Sequence, residues 1–62
     1  MTARPLFNIR GAAEQLGVSR NTMYELVATG AIPSIRIGRA IRIRPEALEK
    51  WIAERETKEP FG

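Results

Sequence analysis

The sequence predicts a mainly α fold with one small β-hairpin, in the order α-α-β-β-α. Three observations point there. Two short apolar stripes of helical period are separated by Gly17 and closed by Gly30. From Ser34 to Ile43 the period becomes two, with Ile35, Ile37, Ile41 and Ile43 apolar and Arg36 and Arg42 between them. After Pro45, which suits a first helical position, the helical period returns.

Asn8 is a good N-cap, and Ile9, Ala12, Ala13 and Leu16 after it fall on one helical stripe. Gly17 stops that helix because a residue without Cβ enters the left-handed conformation cheaply, and Val18 is expected to be buried in the turn. Ser19 caps a second helix in which Met23, Leu26 and Val27 point inward and Asn21, Tyr24, Glu25 and Ala28 outward. Two turns can join the hairpin strands. A two-residue turn at Gly38-Arg39 pairs Ile35 with Arg42 and mixes the faces. A three-residue turn, Gly38-Arg39-Ala40, pairs Ile37 with Ile41 and Arg36 with Arg42 and turns every Ile inward. The face pattern favours the three-residue turn, with a phosphate offsetting the Arg36–Arg42 repulsion. In the third helix Ala47, Leu48, Trp51, Ile52 and Arg55 form the expected inward stripe, and Trp51 is the largest core anchor on offer. The expected organisation is an N-terminal arm over 1–6, a folded domain over 7–55 and a flexible tail over 56–62.

At 62 residues the chain makes one domain with a small core. It contains no Cys and no His, so it has no disulfide, no zinc site of the usual ligands, no thiol nucleophile and no imidazole base. An enzyme is not expected, and neither is a cofactor or a metal. Without a long apolar run or a signal-like start, the reading is a soluble, cytoplasmic protein with no membrane partner. Charge divides unevenly. Residues 1–44 hold seven Arg against Glu14 and Glu25, a net +5, and residues 45–62 hold three cations against five Glu, a net −2. An arginine-only basic segment suits a polyanion, because the planar guanidinium matches phosphate oxygens and guanine edges.

Ala13, Gly17, Met23 and Leu26 have the spacing of a helix-turn-helix: a small residue where two helices touch, a glycine at the bend, and two anchors on the second helix. In that motif the exposed first turn of the second helix enters the DNA major groove.

Residues 7–55 resemble the small winged helix-turn-helix domains of the excisionase and MerR-like superfamily. The resemblance is carried by Asn8-Ile9-Arg10-Gly11-Ala12-Ala13-Glu14-Gln15-Leu16-Gly17-Val18-Ser19-Arg20, by Gly30-Ala31-Ile32-Pro33, by Ile35-Arg36-Ile37-Gly38-Arg39 and by Glu46-Ala47-Leu48-Glu49-Lys50-Trp51-Ile52. It implies that the second helix reads the major groove and the hairpin wing lies on the neighbouring backbone or minor groove. Ser19, Arg20, Asn21, Thr22 and Tyr24 would then be recognition-helix residues, Arg36, Arg39 and Arg42 wing residues, and Arg10 and Arg44 weaker backbone contacts. Gly11 departs from the pattern, since family members often carry there an acidic residue that completes a capping box. MerR regulators continue into a long dimerising helix, and only about ten residues follow Trp51. A phage or mobile-element excisionase is therefore the expected role: binding double-stranded DNA in head-to-tail copies, bending it and directing an integrase toward excision. Two alternatives stay open, a small transcriptional regulator of the same fold and a protein-interaction adapter that no longer touches DNA.

Overall fold

A computed structural model describes residues 5–56. Residues 1–4 of the expected arm and 57–62 of the expected tail lie outside the described residues. The elements follow in the order α1 (Ile9–Leu16), α2 (Arg20–Ala28), β1 (Ile35–Ile37), β2 (Ala40–Arg42) and α3 (Pro45–Arg55). Three helices and a two-stranded antiparallel hairpin among the described residues form a winged helix-turn-helix. Among the described residues, no helix is long and apolar enough to cross a membrane.

Local chemistry sets the helix ends. Asn8 Oδ1 accepts the Gly11 N–H at 2.7 Å, satisfying one of the donors left open at the start of α1. A Cβ at Gly11 would stand 3.1 Å from that same oxygen and 3.4 Å from the Phe7 ring, so a larger residue would crowd the cap. The reciprocal half of a capping box is missing and the Asn8 half is made. At the other end Gly17 adopts φ +73°, its N–H bonds Glu14 O at 3.2 Å, and Val18 N–H bonds Ala13 O at 3.0 Å. This paired closure folds the chain back in a Schellman turn and delivers Ser19 to cap α2. Ser19 Oγ accepts the Thr22 N–H at 3.1 Å.

The core comprises Ile9, Ala12 and Ala13 of α1, Met23 of α2, Ile32 of the following loop, Ile43 just after β2, and Leu48 of α3. Fully buried Ala12 and nearly buried Ala13 let α1 and α2 approach, and Met23 fills the space between. Phe7 and Ile43 exchange two backbone hydrogen bonds, both 2.8 Å, forming an isolated antiparallel bridge. That bridge ties the start of α1 to the end of the hairpin.

The hairpin register differs from the three-residue turn expected. Ile35 pairs with Arg42, Arg36 with Ile41 and Ile37 with Ala40, leaving a two-residue turn at Gly38-Arg39. Turn chemistry overrides the face pattern. Gly38 has φ +60° and Arg39 does not have positive φ, the arrangement of a type II′ hairpin, whose first central position is the glycine. A three-residue loop would instead ask its third residue, Ala40, to be left-handed, which costs an alanine about 1–2 kcal/mol. As a consequence Ile35 and Ile37 are 37% and 57% exposed rather than inward. Arg36 and Arg42 now lie on opposite faces, so no single phosphate is sandwiched between them as directly opposed residues.

The α3 stripe also needs correction. Leu48 is buried, but Ile52 is 40% exposed and Arg55 is exposed. Trp51 is half-buried at the edge of the core, with the Arg55 guanidinium 4.2 Å from its ring centroid. The largest fully enclosed side chains are Met23, Ile32 and Ile43, because so small a core cannot surround an indole. The last turn of α3 runs beyond it.

Candidate nucleic-acid interface

Two packing events assemble the site. The Phe7–Ile43 bridge sets Asn8, Ile9 and Arg10 beside Ala40, Ile41 and Arg42. The α1–α2 contact turns Arg20 and Tyr24 toward the same space. Between them lies a concavity of about 280 Å³ lined by these residues and Arg39 at the hairpin tip. Four guanidinium-bearing side chains share its wall and, among the described residues, no carboxylate lines it. Like charges gathered this way repel, and an anion placed among them offsets the repulsion.

A second shallow hollow, lined by Arg10, Ala13, Glu14, Val18 and Arg20, continues the basic surface past the turn. There Arg10 Nε stands 3.7 Å from Glu14 Oε2, an exposed pair that restrains Arg10 only weakly.

The sequence-selected residues separate into groups. Arg10, Arg20, Tyr24, Arg39 and Arg42 are brought together around the concavity. Asn21 is exposed on the first turn of α2, outside that lining. Ser19 and Thr22 are tied to each other: Ser19 Oγ donates to Thr22 Oγ1 at 3.0 Å. Arg36 is exposed on the other hairpin face, and Arg44 lines a separate hollow with Pro33, Ser34, Ile35 and Ala47. Asn8, Ile9, Ala40 and Ile41 also line the concavity, and the sequence assigns them structural places as cap, core, turn and strand residues without making them candidate contacts. The signal that could have found them is the apolar pair Leu6-Phe7 just ahead of a cap, readable as a short strand partner for Ile43.

A capped helix pair, a hairpin set beside its second helix and a basic hollow between them define a small winged helix-turn-helix protein. Residues 6–56 match the family model described as Helix-turn-helix domain, and the chain belongs to that family. It is 46% identical over 50 residues to a protein of Saccharopolyspora erythraea named "Probable excisionase", covering 81% of this chain and 51% of that protein. It is 32% identical over 47 residues to a Mycobacterium tuberculosis protein named "Putative DNA-binding protein", covering 76% of this chain and 60% of the relative. A third relative, the uncharacterized protein YvgK of Bacillus subtilis, is 32% identical over 56 residues, which is 90% of this chain and 18% of that protein. The chain thus spans at most 60% of the length of these relatives. No solved structure matches it.

Proposed function

We propose that the protein is a double-stranded DNA-binding architectural factor of the excisionase kind. The observation that carries this reading is the concavity where Arg10, Arg20, Arg39 and Arg42 converge from α1, α2 and the hairpin, with no acidic residue among its walls in the described residues. The names of the Saccharopolyspora and Mycobacterium relatives agree with it.

In this reading α2 enters the major groove through its first turn, with Arg20 and Asn21 at base edges. Arg suits the two acceptors of guanine and Asn the acceptor and donor of adenine. Thr22 Oγ1 accepts from Ser19, leaving its own proton free to donate to a phosphate. Arg39 and Arg42 follow the backbone beside the groove, Tyr24 donates or stacks, and Arg10 adds a backbone contact from α1. Arg36 and Arg44, set away from the concavity, serve as outlying backbone contacts.

One such module covers roughly 600–1,000 Å² of its own surface on DNA, little for tight specific binding. Several copies arranged head to tail solve this. The acidic side chains of α3 and its end, Glu46, Glu54 and Glu56, meet the basic hairpin region of the next copy. Contacts of that kind extend without closing, so an array can bend the duplex and present it to an integrase.

Titration of a duplex carrying several copies of the site, followed by fluorescence anisotropy and sedimentation at a series of salt concentrations, tests both parts. Four to six neutralised phosphates give a slope of log affinity against log salt of roughly −4 to −5, with copies adding cooperatively. A flat salt response rejects DNA binding by the arginines, and strictly independent copies reject the array.

A further inference from the structure

We propose that the concavity is the seat of one DNA backbone phosphate, with Arg42 as its pre-set fork. The proposal rests on the DNA-binding reading and assigns the group that occupies the hollow.

Among the described residues Arg42 is the one arginine that is not exposed. Its Nη1 donates to Ile41 O at 2.9 Å, which holds the guanidinium against the hairpin backbone. A guanidinium has five N–H donors, so most of the fork remains for a ligand. A fork already held in place loses less side-chain entropy on binding than a free one. Arg10 and Arg20 come from the helices across the hollow and Arg39 from the hairpin tip, and Tyr24 adds a half-exposed phenol. The chief side-chain acceptor nearby, Asn8 Oδ1, is already taken by the Gly11 N–H. The hollow therefore presents donors and positive charge. That matches an anion made wholly of acceptors better than the mixed donor and acceptor edge of adenine, and the charge gathered from four arginines favours an anion over the neutral acceptor edge of guanine.

The seat has a consequence for recognition. Phosphate contacts set register and base contacts carry sequence. A phosphate held between Arg42 and α1 fixes how deep the first turn of α2 sits, and so whether Arg20 and Asn21 reach their base edges. Arg42 then governs specificity without touching a base.

The test uses the full chain and a set of otherwise identical duplexes, each with one phosphate replaced by a neutral methylphosphonate. With the unaltered protein, one position per bound copy is expected to cost about tenfold in affinity, well above its neighbours. Arg42→Ala is expected to cost about tenfold on the unmodified duplex and less than about twofold on the duplex neutralised at that position, because the partner has already gone. Arg42→Lys keeps the charge but loses the held fork, so affinity falls about fivefold while the salt slope stays unchanged. Circular dichroism establishes that each variant is folded, and the scan with the unaltered protein stands even if a variant is not. Losses spread evenly along the backbone, or Arg42→Ala equally costly on every duplex, overturn the seat and leave DNA binding intact. Absence of binding to the unmodified duplex overturns the functional reading itself.

Discussion

Met23→Ala is expected to leave most of the protein unfolded at physiological temperature. Met23 is fully enclosed, lies where α1 meets α2, and is one of the three largest side chains with no exposure. Truncating a buried Met to Ala costs about 2–5 kcal/mol, part lost transfer energy and part residual cavity. A single core in a domain this small rarely supplies more than about 3–5 kcal/mol. The loss is therefore comparable to the whole stability, and a thermal melt followed by circular dichroism should move down by at least about 10 °C. The matched control is Tyr24→Ala one residue on, where the side chain is 52% exposed and the melt should barely shift. A Met23→Ala protein melting within a few degrees of the unaltered one would show that the α1–α2 junction is not the centre of the core.

Arg20→Ala and Asn21→Ala are expected to weaken DNA binding by about 1–3 kcal/mol each, and to do so unevenly across sequences. Both are exposed on the capped first turn of α2 and neither belongs to the core, so their loss should leave the melt unchanged. If they read bases, each variant tolerates substitution at one base pair that the unaltered protein rejects. Competition binding against a panel of single-base variants measures this directly. A loss equal on every duplex would move that residue to the phosphate contacts, and for Arg20, which carries a charge where Asn21 does not, it would come with a salt slope lower by about 0.9.

The helix starts and the end of α1 were legible in sequence because Asn8, Gly17, Ser19 and Pro45 each have a local reason to be where they are. All act within one turn of themselves: Asn8 and Ser19 cap α1 and α2, Gly17 closes α1, and Pro45 is the first residue of α3. The hairpin register was not legible by the same route. Two local rules competed, inward isoleucines against the turn that Gly38 prefers, and alternation carried no measure of how costly Ala40 would be in a left-handed position. Trp51 illustrates a different limit. Its size marked it as an anchor, but whether a core encloses a side chain depends on total core volume, which no single position reports. The Phe7–Ile43 bridge is a pairing of residues 36 apart: the apolar pair Leu6-Phe7 marks a short strand segment, but which partner it takes is set by chain closure. That bridge places Asn8 and Arg10 beside Arg42. Arginine-rich composition pointed to a polyanion, whereas the division of those arginines, with Arg10, Arg20, Arg39 and Arg42 on one concavity and Arg36 and Arg44 away from it, follows from the register and the bridge.

The account centres on one face of the molecule gripping the duplex, and an amide NMR titration of isotopically labelled protein with a duplex that carries a single site, where no neighbouring copy meets α3, probes that face residue by residue. Shifts are expected to concentrate at Asn8, Arg10, Arg20, Asn21, Tyr24 and Arg39–Arg42, with Ala47, Lys50 and Trp51 of α3 left in place on a separate hollow. Shifts centred on α3, with the arginine-lined concavity unmoved, would contradict it.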